Sequence, residues 1–141
     1  VKKIGYTCGC YDLFHAGHLS FLEACKKECD ILVVGLATDW RCRQMEKKYI
    51  ERPLISYEDR NAILDALSCV DLVIPDSNGP ISVLSVLHPD YYIKGCDWRD
   101  KLPNDEVIFC KELGTEIKFI DSGNQLSTSD IILKIGSLNG K

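Results

Sequence analysis

The sequence predicts an α/β protein, a Rossmann-like three-layer sandwich around a five-stranded parallel sheet. Three observations predict it. Short apolar runs alternate with segments of helical periodicity along all 141 residues, and strands alternating with helices build parallel sheets covered on both faces. The run at 30–37, Asp-Ile-Leu-Val-Val-Gly-Leu-Ala, is apolar almost without a break, as suits a strand buried on both sides. The stretch 7–18, Thr-Cys-Gly-Cys-Tyr-Asp-Leu-Phe-His-Ala-Gly-His, reads as a strand end, a glycine-containing turn and a helix start. Unpaired N–H groups and the helix dipole make such a turn a ready anion site.

The first strand covers 3–9, and the first helix holds 19–27 with Phe14, Leu19, Leu22 and Cys25 at inward spacing. The second strand is 30–37. Residues 38–55 are polar and basic, with Arg41, Arg43, Lys47, Lys48 and Arg52. They read as a long loop, and long loops in compact domains are often functional. Ser56 caps a helix, with Asp59 three residues on, that runs to about 68 and turns Ile63, Leu64 and Leu67 inward. A third strand spans 70–75. Gly79-Pro80 opens the next helix, since proline suits the first turn. The fourth strand is 90–95. A helix over 104–113 stops at Gly114, a fifth strand covers 116–120, and 129–138 closes the chain as a helix.

Hydrophobic residues make up 45% and charged residues 27%, ordinary for a soluble protein, and the length fits one compact domain over 1–141. A net charge of −4 argues against a dedicated nucleic-acid surface, which needs clustered Lys and Arg. No apolar run approaches the roughly 20 residues that cross a bilayer, and the first residues lack the apolar core of a signal peptide. The expectation is a cytoplasmic protein with no membrane partner. Eight cysteines, at 8, 10, 25, 29, 42, 69, 96 and 110, are spread through the predicted elements. They read as small, reduced apolar residues, not as a disulfide scaffold.

Four ordered blocks carry a family resemblance. The stretch 7–18 ends in His15-Ala16-Gly17-His18. Arg52-Pro53 precedes Tyr57-Glu58-Asp59-Arg60. The fourth strand runs into Lys94-Gly95-Cys96-Asp97-Trp98, and Ser127-Thr128-Ser129 opens the last helix. Together they resemble the cytidylyltransferase-like nucleotidyltransferases across nearly the whole chain. Within them the likeness is greatest to the nucleotidyltransferase domains of ADP-heptose synthases. Asp97-Trp98, by contrast, resembles the glycerol-3-phosphate cytidylyltransferases, so the base stays open between adenine and cytosine.

The resemblance implies attack of a sugar-phosphate oxygen on the α-phosphorus of a nucleoside triphosphate, with pyrophosphate leaving. It implies His15, His18 and a loop lysine, Lys48, as catalytic residues. Nucleotide would contact Thr7, Gly9, Cys10, Tyr11, Asp12, Gly17, Lys94, Gly95, Asp97, Ser127, Thr128 and Ser129. The acceptor, a phosphorylated sugar or polyol, would contact Asp12, Lys47, Lys48 and Trp98. Mg²⁺ is expected with the triphosphate, held mainly by phosphate oxygens and waters, and a homodimer is implied by the family. The nucleophile is already an anion, so the chemistry asks for positioning and charge stabilisation more than for a strong base. Blander readings stand beside these: Asp12 as a turn residue bonding its local backbone, Lys47 and Lys48 as solvated charge, and Cys8, Cys10, His15 and His18 as zinc ligands without the usual C-x-x-C spacing.

Overall fold

The structure is a computed structural model and describes residues 1–45, 52–123 and 126–139. Its centre is one five-stranded sheet in the order β3-β2-β1-β4-β5, formed by β1 (Ile4–Gly9), β2 (Ile31–Ala37), β3 (Leu72–Asp76), β4 (Tyr91–Gly95) and β5 (Glu116–Ile120). Every neighbouring pair is parallel. The helices between them are α1 (Ala16–Lys27), α2 (Asp39–Met45), α3 (Tyr57–Asp65), α4 (Pro80–Leu87), α5 (Asn104–Leu113) and α6 (Thr128–Asn139). The predicted α/β sandwich is therefore the observed one.

Alternation along the central strands divides the core. Leu32, Val34, Leu36 and Ile93 meet Leu22 and Cys25 of α1 and Leu64 of α3 on one face. Tyr6, Val33 and Tyr92 meet Leu84 of α4 and Cys110 of α5 on the other. The register Tyr6↔Val33 and Thr7↔Val34 places successive residues on opposite faces, as the period of two requires. No disulfide joins any of the eight cysteines, and Cys25, Cys42 and Cys110 are fully buried. Among the described residues no helix is long and apolar enough to cross a membrane.

Three expectations need correction. Residues 38–55 are not all loop, because Asp39–Met45 is helical. Its start is fixed by the Thr38 hydroxyl, which accepts the Arg41 N–H at 3.2 Å, and by Asp39, which pairs with Arg60 at 2.7 Å. Helix α3 stops at Asp65, three residues short of 68, and it buries only Arg60 and Leu64. Ile63 points outward at 48% exposure. A nine-residue helix lying on the sheet by one i, i+4 stripe has no room for a second inward position.

Candidate active site

The turn after β1 is held by an unusual backbone. Tyr11 and Leu13 both lie in the left-handed region, at φ 52° and 51°. Non-glycine residues adopt it at a cost of about 1–2 kcal/mol each. Asp12 between them secures the conformation. Its carboxylate accepts from Arg52 Nε at 2.8 Å and from the backbone N–H groups of Leu54 at 2.8 Å and Ile55 at 2.9 Å. Asp12 is 1% exposed, and both of its oxygens are engaged. Asp12, expected to contact nucleotide or acceptor, has its carboxylate engaged by protein donors. Its carbonyl accepts the Thr128 hydroxyl at 2.9 Å, which ties the start of α6 to the same turn.

Arg60 is the second anchor. It is 2% exposed and donates to the carbonyls of Cys10, Ala37 and Ile55 at 2.7, 2.8 and 2.9 Å, and to Asp39 at 2.7 Å. One guanidinium thereby fastens the carboxyl ends of β1 and β2 to the segment entering α3.

The histidines sit where the turn becomes helix. His15 is the N-cap of α1. Its Nδ1 accepts the Gly17 N–H at 3.0 Å, and the His18 Nδ1 accepts the His15 N–H at 3.2 Å. The rings stack with centroids 3.8 Å apart. A neutral imidazole that accepts at Nδ1 carries its proton at Nε2. The backbone thus sets both rings to present Nε2–H donors. The His15 Nε2 is buried and has no partner among the described residues. Gly17 makes the packing possible: a Cβ there would lie 2.7 Å from the Leu126 carbonyl and 2.9 Å from the His15 Nδ1.

Burial lowers the pKa of both rings, and for His18, where the neighbouring His15 adds to the effect, it falls to about 4. The unfolded chain binds this proton near pH 6.5, whereas the native ring resists it down to about 4. The stability gained from a neutral His18 is therefore complete above pH 6.5 and lost as pH falls toward 4. For a partly exposed ring this amounts to about 1–2 kcal/mol at about pH 4.5 after allowance for screening. Denaturant unfolding at about pH 7.5 and about pH 4.5 should show that loss in the wild type and much less of it in His18→Asn. Equal losses in the two proteins would contradict the assignment.

The carboxyl-terminal residues of all five strands, Gly9, Ala37, Asp76, Gly95 and Ile120, line one continuous cleft, where open parallel sheets bind their ligands. It has three chambers. The largest, about 450 Å³, lies between His15, His18, Phe21, Ile120, Leu126 and the first residues of α6. The second, about 220 Å³, shares His18, Phe21, Gly95 and Asp97 with the first and adds Thr7, Gly9, Cys10, Tyr11, Lys94 and Trp98. The third, also about 220 Å³, shares Cys8, Gly9, Lys94 and Trp98 with the second and extends toward β3 and α2.

Lys94 stands where the second and third chambers meet. It is 9% exposed, and its ammonium lies 4.3 Å from the centre of the Trp98 ring and 5.9 Å from that of Tyr92. No carboxylate pairs with it among the described residues. A cation held by aromatic faces, with no carboxylate at salt-bridge distance among the described residues, is set up to receive an anion.

Most of the predicted site comes together. His15, Gly17, His18, Gly95, Asp97, Ser127 and Thr128 line the largest chamber, and Thr7, Gly9, Cys10, Tyr11, Lys94 and Trp98 line the second. Several side chains do other work than expected. The Tyr11 ring is core, packed edge-on against His18 at 5.4 Å. Thr7 is fully buried. Ser127 accepts the Asp130 N–H at 3.1 Å as a cap, and the Thr128 hydroxyl donates to Asp12. Ser129, one residue into α6, follows Ser127 and Thr128, which line the largest of the three chambers. Lys47 and Lys48 lie outside the described residues. Sequence reasoning missed Arg41, Tyr92 and Glu106 as cleft residues. Arg41 was visible only as one of several loop cations, and nothing local marks a tyrosine inside a strand or a glutamate inside a helix.

A parallel α/β sheet whose strand ends, two helix N-termini, two fixed imidazole donors and a buried lysine converge on one cleft is built to hold a phosphate-rich ligand. Residues 6–134 match the model of the cytidylyltransferase-like family, and the chain belongs to that family of nucleotidyltransferases. It is 41% identical over 135 residues to the bifunctional protein HldE of Helicobacter pylori (strain G27), covering 95% of this chain and 28% of that protein. It is 38% identical over 135 residues to the HldE of Campylobacter jejuni, again over 95% of this chain and 28% of the relative. The chain thus spans little more than a quarter of the length of these relatives. Among solved structures, the lipopolysaccharide core biosynthesis protein from Thermoplasma volcanium GSS1 aligns with a TM-score of 0.74 at 26% identity, over 88% of this chain and 100% of that one. Pantothenate synthetase from Thermus thermophilus shares the fold, with a TM-score of 0.64 at 14% identity over 92% of this chain and 61% of its own.

Proposed function

We propose that the protein transfers a nucleoside monophosphate, from ATP in preference to CTP, to a sugar phosphate such as heptose 1-phosphate, releasing pyrophosphate. The observation that carries this reading is the pair of Nε2–H donors fixed by backbone bonds at the start of α1, with Lys94 lining the same cleft against the Trp98 ring. The largest chamber has apolar walls from Phe21, Ile120 and Leu126, suited to a nucleoside, and the triphosphate then extends over His15 and His18 toward Lys94. The acceptor oxygen attacks the α-phosphorus, the bond to the bridging oxygen breaks, and pyrophosphate departs with the electron pair. Charge builds on the non-bridging and leaving oxygens, and the imidazole donors and the ammonium stabilise it from fixed positions.

Mg²⁺ fits this site as a companion of the triphosphate and not as a resident of a protein cage. Among the described residues no three His, Cys, Asp or Glu side chains converge to hold a metal. Asp97 and Asp121 are carboxylates in the cleft wall able to take waters of such an ion. The ion would neutralise phosphate charge. Asp97 and Trp98, both in the second chamber, support a second reading, a cytidylyltransferase acting on glycerol 3-phosphate.

Thermal-shift measurements with ATP, CTP, GTP and UTP, each with Mg²⁺, separate the two. A ligand present at about 100 times its dissociation constant stabilises the native state by about 2.7 kcal/mol. Selective stabilisation by ATP is expected. Selectivity for CTP would favour the second reading, and no stabilisation by any of the four would contradict both.

A further inference from the structure

The third chamber holds groups that binding of a triphosphate does not use. Arg41 reaches it from α2 and Glu106 from α5, on opposite sides of Lys94 in the sequence and against the same small space. The Arg41 Nε is buried and has no hydrogen-bond partner among the described residues. None of the ion pairs among those residues involves Arg41 or Glu106. Glu106 is positioned by the Tyr92 hydroxyl, which donates to its Oε1 at 2.8 Å. Asp76, at the chamber edge, is already engaged, because its Oδ1 accepts the Gly79 N–H at 2.7 Å. The chamber is therefore lined by a guanidinium outside the ion pairs of the described residues and by one oriented carboxylate, with the lysine at its mouth.

This combination is matched to a particular chemistry. A phosphate at the mouth would be held by Lys94, beside the site assigned to the α-phosphate. A carbon chain carrying neighbouring hydroxyls would then enter the chamber, donating to Glu106 and accepting from Arg41. A donor and an acceptor facing one small cavity suit vicinal hydroxyls, which both give and take hydrogen bonds. A short phosphoalcohol satisfies the lysine but leaves the far groups unpaired, and sites built around polar groups discriminate strongly against ligands that leave them so.

We propose that this chamber is the acceptor subsite and that Arg41 and Glu106 select a sugar phosphate with several hydroxyls beyond its phosphate over a shorter phosphorylated alcohol. The inference rests on the nucleotidyltransferase reading and adds to it which residues choose the acceptor.

The test is steady-state pyrophosphate release by the wild type, Arg41→Met, Arg41→Lys and Glu106→Gln, with heptose 1-phosphate, a hexose 1-phosphate and glycerol 3-phosphate as acceptors. Each variant's thermal shift with nucleotide alone is measured in parallel. Arg41→Met and Glu106→Gln are expected to raise KM for the sugar phosphates at least tenfold. KM for glycerol 3-phosphate should change less than threefold, with nucleotide KM and the nucleotide-induced shift unchanged. Arg41→Lys should recover part of the loss, since one donor returns without the fork. Sugar-phosphate KM values within twofold of the wild type, or equal changes in nucleotide and acceptor KM, would overturn the inference while leaving the function intact. No pyrophosphate release by the wild type with any acceptor would overturn the function, and the subsite with it.

Discussion

Asp12→Ala is expected to destabilise the protein by about 3–5 kcal/mol, the cost of leaving a buried ion-pair partner unpaired. The Arg52 side chain is 9% exposed and would lose its only ion-pair partner among the described residues. The N–H groups of Leu54 and Ile55 would lose their acceptor as well. The left-handed residues Tyr11 and Leu13 would then have little to hold them. In a chain of this size the loss corresponds to a fall in melting temperature of roughly 10–20 °C. Asp12→Asn keeps the shape of the side chain and one acceptor oxygen but removes the charge and sets an NH2 against a donor, so it should also lower the melting temperature. Its turnover at a permissive temperature separates anchoring from chemistry. An anchoring Asp12 leaves kcat within several-fold of the wild type. A 100-fold fall in kcat with an unchanged melting temperature would place the carboxylate in contact with the reactants and contradict the geometry.

His18→Ala is expected to lower kcat by about 10²–10³-fold, the range for removing one preorganised donor from a site of developing charge. Because the donor acts chiefly on charge that appears during the reaction, KM for the nucleotide should rise less than tenfold. His15→Ala should give a similar loss in kcat and a further drop of about 1 kcal/mol in stability, since its Nδ1 also caps α1. A His18→Ala enzyme with nearly full kcat would remove the imidazole pair from the mechanism.

Much of the fold is legible in the sequence because its strongest signals are local. The apolar run at 30–37 can only be a covered strand, and Gly114, in the left-handed region at φ 83°, ends α5 where a glycine stop predicts. Helix α2 was hidden because six of its seven residues are not buried and only Cys42 is fully enclosed, so no apolar period marks it. Ile63 misleads for the opposite reason: an apolar residue in a helical pattern carries no label saying which face the sheet will cover.

The candidate site divides along the same line. His15, Gly17 and His18 are adjacent in the chain, and their spacing already implies the geometry that the hydrogen bonds complete. The role of Asp12 depends on Arg52, 40 residues later, and no short-range pattern reveals that pairing. Thr128, which lines the cleft, also bonds the Asp12 carbonyl across 116 residues and so clamps the turn after β1 to α6. Arg41 and Glu106 come from α2 and α5, far apart in the chain, and meet at one chamber only in the folded sheet.

The central claim is that the cleft catalyses attack on the α-phosphorus of a nucleoside triphosphate by a sugar phosphate. Incubating the protein with α-³²P-labelled ATP, Mg²⁺ and heptose 1-phosphate, then resolving the products, tests it most directly. The account predicts label in a new sugar-nucleotide and unlabelled pyrophosphate, in equal molar amounts. Label remaining in ATP, or appearing in ADP with no sugar-nucleotide formed, would contradict it.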